Sequence, residues 1–438
     1  MNNFARPAHE IGAELRAARC RARLGQAQVG KAVGYSASAV SRIESGQMRL
    51  EYSRLLAFAE FLGIPLDRLI PPDRANGTPV PHRAALGTVR RPADEEEAVR
   101  RRTLLTGAAI GVTAALSAPP ATATPNSQDP AAPLEDYLFR LPPAEPVPLP
   151  QLVQDTAAAR SNFCAARYGI LGRALPNLLA SASATWQEAS GHEREKASVA
   201  LARAYVLAAE LALKQHSDAA WAAADRALTA ARASGHPVPI GEASRVLAIT
   251  IRRSGNCPSA VRHLTREAQE LDTGQAQTAA VRTTLMLTAA YSAATGGDRT
   301  TALDLLGAAE EETARRESAL PSGLFTVDAT RAQVDVYRIG VLNSLGTPDE
   351  AVEVARRINI GSMTTPERRA RAWTDTARMW HALRDMRQTF AALRRVEQEA
   401  PQEVRRPALR ALTADLLYAP ARVPGIRQFA IRTGAISP

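Results

Sequence analysis

Leu24–Gly46, LGQAQVGKAVGYSASAVSRIESG, decides how the chain is read. Val29 and Val33 stand one helical turn apart, and Val40 and Ile43 stand three residues apart, so two short apolar stripes can pack on each other. Between them Gly34 supplies the positive φ of a sharp helix–helix turn, and Ser36 is placed to cap the second helix. With Val40 and Ile43 turned inward, Ser38, Ser41, Arg42 and Ser45 share the opposite face. That face is short, polar and carries one arginine, which suits a helix entering the major groove of double-stranded DNA. A plain helical hairpin inside a core is the alternative, but turn, cap and polar face agree on DNA.

Working outward, Ile11–Ile70 reads IGAELRAARCRARLGQ, then the stretch above, then MRLEYSRLLAFAEFLGIPLDRLI. Leu15 and Arg19, then Gln26, Gly34–Tyr35–Ser36, Ser41–Arg42–Ile43–Glu44–Ser45–Gly46 and Leu62–Gly63–Ile64–Pro65–Leu66 form an ordered series. The series resembles the XRE family, five-helix helix-turn-helix domains related to phage lambda-type repressors. The resemblance implies that Gln26, at a helix N-terminus, holds a phosphate of the DNA backbone. It further implies that Ala37, Ser38 and Arg42, flanked by Ser36 and Ser41, face the DNA. Arg19 and Glu44 match the family's internal ion pair, which fixes geometry more surely than it adds stability. Gly25 stands where the family has Ser or Thr as a cap, a small loss. Gly30 stands where it has alanine, with an expected cost of about 1 kcal/mol in helix propensity.

The remaining chain is long enough for two or three domains. Alanine and arginine dominate, and Lys31, Lys196 and Lys214 are the only lysines, a bias that fits a high-GC, actinobacterial source. The net charge of +10 is therefore partly a codon effect and supports nucleic-acid binding weakly. Residues 1–74 hold 11 basic and 7 acidic side chains, so the placing of Arg42 says more than the total. Cys20, Cys164 and Cys257 have no metal-ligand spacing and read as free thiols of a reducing cytosol. No HExxH, GxSxG, Walker or GxGxxG pattern occurs, so neither enzyme, metal nor cofactor is expected.

Residues 75–150 read as a proline-rich linker. Inside it, residues 100–118 carry Arg100–Arg101–Arg102 followed by a weakly apolar run, as a twin-arginine export signal does. A DNA-binding domain ahead of it argues against export. Thr103–Ala118 is 16 residues and diluted with Thr, Gly and Ala, short of the ~20 that span a bilayer, so no stable membrane anchoring is expected.

Residues 151–438 are alanine-rich with helical apolar spacing and no convincing strand. Similar turns recur before Ala220, Ala260, Ala302, Ala351 and Thr389, at separations of 40, 42, 49 and 38. The array resembles a degenerate tetratricopeptide (TPR) superhelix, whose repeat is 34 residues; an irregular helical bundle is the alternative. TPR arrays bind peptides or proteins along the surface formed by the first helix of each pair. There the sequence places Arg245, Arg282, Arg331, Arg338, Arg371 and Arg378; Arg331 and Arg338, like Arg371 and Arg378, are two turns apart on one face. Looking inward, Arg282, Arg331, Arg338, Arg371 and Arg378 form a ligand face for carboxylates; looking outward, they are a solvated, codon-biased surface.

The layout resembles actinobacterial XRE–TPR regulators and, more distantly, the RRNPP peptide-sensing regulators. The latter hold their peptide with asparagines, which are scarce here: Asn256, Asn343 and Asn359 are the only ones after Asn177. The expectation is an all-α, cytoplasmic, homodimeric transcription regulator. An N-terminal lambda-repressor-like domain binds DNA, and a TPR-like superhelix provides dimerisation and a peptide or protein site. The rivals are a TPR interaction scaffold with a vestigial helix-turn-helix, and a membrane-associated sensor.

Overall fold

A computed structural model describes residues 8–22, 24–46, 48, 50, 52–65, 69, 130–315, 323–419 and 423–436. The chain forms two compact units, and no strand occurs among the described residues. The twin-arginine-like segment lies outside them. None of the described helices is long and apolar enough to cross a membrane.

The N-terminal unit comprises α1 (Ala8–Arg21), α2 (Gln26–Val33), α3 (Ala37–Glu44) and α4 (Tyr52–Leu62). Its core joins Ile11, Leu15 and Ala18 of α1 to Val29, Val33, Val40 and Ile43, closed by Leu55, Phe58, Ile64 and Leu69. The turn between α2 and α3 is built as its residues dictate. Gly34 adopts φ 76°, and Ser36 Oγ accepts the Ala39 N–H at 3.2 Å. Gly30 departs from expectation. A Cβ there would lie 2.3 Å from the Tyr35 carbonyl oxygen, so the turn folds back onto α2 only because that position lacks a side chain. Gly12 does the same for α1, where a Cβ would lie 2.3 Å from the Ile43 carbonyl oxygen.

The second unit begins earlier than its repeats suggest. Pro130 and α5 (Ala132–Phe139) fall inside the linker expected over 75–150, yet Leu134 and Leu138 are buried in the array's main core. Two leucines one turn apart are enough to dock a short helix among so many prolines. After α5 come α6 (Leu149–Cys164), α7 (Tyr168–Glu188), α8 (Gly191–Gln215), α9 (Ala219–Ser234), α10 (Pro237–Arg253), α11 (Cys257–Gln269), α12 (Ala276–Thr295) and α13 (Arg299–Ala314). Then follow α14 (Arg331–Ser344), a 3-10 turn into α15 (Val352–Arg357), α16 (Pro366–Ala382), α17 (Met386–Glu399), α18 (Pro407–Leu417) and α19 (Ile426–Arg432).

The repeat stations coincide in space as in sequence. At the five recurrent turns a left-handed residue reverses the chain: His216, Gly255, Gly297, Gly346 and Arg384. Ala220, Ala260, Ala302, Ala351 and Thr389 are all buried where the second helix meets the first. Asn256, Asp298 and Asp385 cap three of those second helices through their side-chain oxygens. The first helices α8, α10, α12, α14 and α16 each pack on the next, and α16 returns to α6, which packs on α8. Six helices thus close a ring. The apolar core that starts at Leu134 runs on through Leu393, Leu409 and Phe429, joining the beginning of the array to its end.

Candidate DNA-binding face and the interior of the helical ring

In the N-terminal unit, α3 buries Ala39, Val40 and Ile43 and leaves Ala37, Ser41 and Ser45 exposed, with Arg42 half-buried beside them. The side chain of Ser38 lies outside the described residues. Ser36 is occupied as the cap, its Oγ accepting the Ala39 N–H. The helix is held at its C-terminal end. Arg19 forks onto Glu44, Nε to Oε1 at 2.5 Å and Nη2 to Oε2 at 2.9 Å, and its Nη1 donates to the Leu24 carbonyl at 2.9 Å. Gln26 Nε2 also donates to Glu44 Oε2, at 2.9 Å. The family resemblance gives Gln26 to a phosphate; here one amide hydrogen is committed to Glu44, and the other remains for an acceptor beyond it. Burial pushes the Glu44 carboxyl up, but the bonds from Arg19 and Gln26 and the charge of Arg19 more than offset it and hold the pKa below the usual carboxylate range. One carboxylate therefore ties α1, α2 and α3 together. The Gly25 N–H, at the start of α2, is taken by Gln28 Oε1 at 2.7 Å, one half of a capping box; the half a Ser or Thr side chain would supply is absent, and the Gln28 N–H turns to the Gly25 carbonyl at 3.1 Å.

In the array, charged residues of several first helices meet in the ring's interior. At the closure, Lys214 of α8 reaches Glu367 of α16 at 2.6 Å and both oxygens of Glu403 at 3.1 Å. The Tyr168 hydroxyl donates to Glu403 at 2.5 Å, and Arg406 adds a second cation at 3.1 Å. Burial raises the Glu367 and Glu403 carboxyls, yet Arg368, Lys214 and Arg406 bring both below the ordinary range.

Deeper in the ring, Glu210 accepts from Arg160 at 2.9 Å and from Arg245 at 3.0 Å, while Glu242 accepts from Arg203 at 3.0 Å. The segment entering α14 lies against this wall. The Phe325 N–H donates to Glu242 at 2.7 Å, its ring lies under the guanidiniums of Arg160 and Arg203, and Arg160 donates to the Thr326 carbonyl at 2.6 Å. The chain itself thus occupies this part of the interior.

Farther along α10 the interior is different. Arg252 of α10 lies over the Tyr291 ring at 4.7 Å and reaches Ser292 Oγ at 3.4 Å. Arg371 of α16 pairs with Asp375 at 2.9 Å. Tyr337 of α14 stands between; burial raises its phenol, but Arg245, Thr288 and Arg368 draw it below its ordinary value. Across this network, Arg160, Arg203, Lys214, Arg245, Arg252, Arg368, Arg371 and Arg406 outnumber Glu210, Glu242, Glu367, Asp375 and Glu403.

The five arginines read as one ligand face are divided by the fold. Arg331 and Arg338 both pair with Glu310 of α13, and Arg282 lies 3.8 Å from Glu312 of the same helix. Arg371 belongs to the interior wall, and Arg378, half-buried, stands two turns along α16 from it. Arg245, Arg252 and Arg368 join the interior, and Arg252 and Arg368 were not singled out by sequence. Both are arginines on first helices, as Arg371 is. Cys20, Cys164 and Cys257 are not joined in disulfides, and no His, Cys, Asp or Glu group able to hold a metal occurs among the described residues.

A family model described as a helix-turn-helix domain matches residues 10–69. No curated protein matches the chain. Among solved structures, the chain is similar to the crystal structure of Bacillus thuringiensis PlcR in complex with the peptide PapR7 and DNA. Identity is 12%, coverage is 88% of this chain and 99% of that one, and the TM-score is 0.31.

Proposed function

We propose that the chain is a sequence-specific transcription regulator that binds double-stranded DNA as a homodimer in the cytoplasm. The observation that carries this is the outward face of α3, held by the Arg19–Glu44–Gln26 tie and leaving Ala37, Ser41 and Arg42 at its surface. Arg42, with Ser38, reads base edges. Ser36, Ala37 and Ser41 make close contact, and Gln26 meets a phosphate with its remaining amide hydrogen and the start of α2. The ring-shaped array supplies dimerisation and the site for a signal, a small ligand or a peptide held by arginines.

One N-terminal unit with a +4 charge makes few phosphate contacts and binds weakly with strong salt dependence. Two units on a two-fold axis reach half-sites one helical turn or a multiple apart, and their binding energies combine. The test is selection of bound sequences from random DNA by the full chain, followed by titration with the 1–74 fragment. The expected result is an inverted repeat, bound far more weakly by the fragment. Selection of no sequence sinks the regulator reading. Equal affinity for fragment and full chain leaves the array no part in recognition.

A further inference from the structure

We propose that Arg252, with Arg371, forms an anion site on the inner wall of the ring, for a small ligand carrying at least two negative charges of phosphate or carboxylate chemistry. This names a ligand class for the signal site of the preceding section and rests on that reading of the array.

The argument begins with partners. Arg252 is half-buried within the array, and its contacts are a ring face and a serine hydroxyl at 3.4 Å. No carboxylate pairs with it among the described residues. The interior carboxylates are committed to other cations: Asp375 to Arg371, Glu210 to Arg160 and Arg245, Glu367 to Lys214 and Arg368. Arg371 lies near enough to repel Arg252. A guanidinium taken from bulk water, set beside a like charge and given no counter-ion is costly for the array alone. A bound anion removes that cost, and two arginine forks beside one another match the geometry of phosphate or carboxylate oxygens.

A second observation points the same way. Arg245 is more than nine-tenths buried and its Nε–H, on the side chain that neighbours Tyr337, donates to nothing in the structure. Gly340 of α14 faces the same place, where a Cβ would lie 2.7 Å from the Tyr291 ring and 3.7 Å from Asp375 Oδ2. Without a side chain at 340, Tyr291, over which Arg252 lies, sits close to Asp375, the partner of Arg371, so the two guanidiniums are held on one wall. Closure of the ring excludes a folded partner, so the ligand is small.

The test uses the full chain and follows thermal unfolding of the array at fixed ionic strength, with pyrophosphate in one arm, tricarballylate in the other and chloride as control. A saturable rise in Tm with either anion at millimolar concentration is expected, and the arm that responds assigns phosphate or carboxylate. Arg252→Met is expected to melt higher than wild type without anion, because an unpaired cation is gone, and to bind the anion at least tenfold more weakly. Arg331→Gln, outside the wall, is expected to keep the wild-type response. No saturable shift in either arm overturns the proposal, as does an unchanged response in Arg252→Met. A lower Tm of Arg252→Met without anion would make the guanidinium structural and overturn it equally. DNA titration with and without the anion is read separately: anion binding without change at the operator refutes the signal role and leaves the site standing.

Discussion

The small N-terminal unit and the large array use arginine in opposite senses. In the first, Arg19 is spent inside on Glu44 so that another arginine, Arg42, stands at the outer face of α3. In the second, the arginines that face outward from the first helices, Arg331 and Arg338, are neutralised by Glu310, while those facing in exceed their carboxylates. On the function proposed above, the outer face of α3 presents charge to a partner larger than the unit, whereas a closed ring presents charge to something it can enclose. The difference teaches where each unit expects its ligand.

The comparison breaks most sharply at the ring's closure. Lys214→Met leaves Glu367 and Glu403 facing each other without the ammonium that bridges them, and removing one member of a buried ion group costs about 3–5 kcal/mol. The array's unfolding transition should fall by that amount in denaturant titration while the N-terminal unit's transition stays in place. The pH dependence follows from the same groups. Both carboxyls are depressed in the folded state, so their contribution is fully present above the unfolded carboxylate pKa and is lost as pH falls through the folded values. Wild type should begin to lose array stability as pH falls below the ordinary carboxylate range, with the loss complete only in strong acid. In Lys214→Met that acid-induced loss should flatten.

Glu44→Ala is the matching test in the small unit. It strands Arg19, whose side chain is 13% exposed, and frees Gln26 as well. A loss of about 3 kcal/mol is expected, read from melting of the 1–74 fragment, with the array unaffected in the full chain. A shift near zero would mean that the tie is not what holds α3.

The small unit was legible in the sequence and the ring was not, for a physical reason. Val29, Val33, Val40 and Ile43 meet within 15 residues, so helical period, turn glycine and cap suffice to place them. Lys214 and Glu367 are 153 residues apart, and no local pattern brings them together. The repeat stations were readable as small residues at Ala220, Ala260, Ala302 and Ala351, but the number of repeats that completes a turn depends on small angles between helices. The i, i+7 arginine pairs show the limit well. Arg331–Arg338 and Arg371–Arg378 have identical spacing, yet α14 turns its pair to Glu310 and α16 turns Arg371 to the interior. One signal was overlooked: in a chain with three lysines, the lysine at 214 stands out.

Arg42→Ala addresses the outward half of the comparison. Loss of one good base contact costs about 1–3 kcal/mol of discrimination. The affinity ratio between the selected site and scrambled DNA should fall accordingly, with melting of the N-terminal unit unchanged. An unchanged ratio would move base reading to another residue of α3.

The smallest expected effect decides between two physical accounts of one residue. Gly30 sits inside α2, where helix propensity alone favours alanine by about 1 kcal/mol. If propensity governed, Gly30→Ala would stabilise the unit. The Cβ it adds, however, would lie 2.3 Å from the Tyr35 carbonyl oxygen and 3.1 Å from its carbon, a contact with backbone that no rotamer can relieve. Overpacking of that kind costs about 1–3 kcal/mol. The two terms oppose, and the net expectation is a loss of about 1 kcal/mol, seen as a modest fall in the melting temperature of the 1–74 fragment. Because Tyr35 leads into Ser36 and the start of α3, the same shift should loosen the angle between α2 and α3 and weaken DNA binding. A rise in melting temperature would show that the turn yields easily, and that α3 is set by Arg19 and Glu44 rather than by the close approach at Gly30.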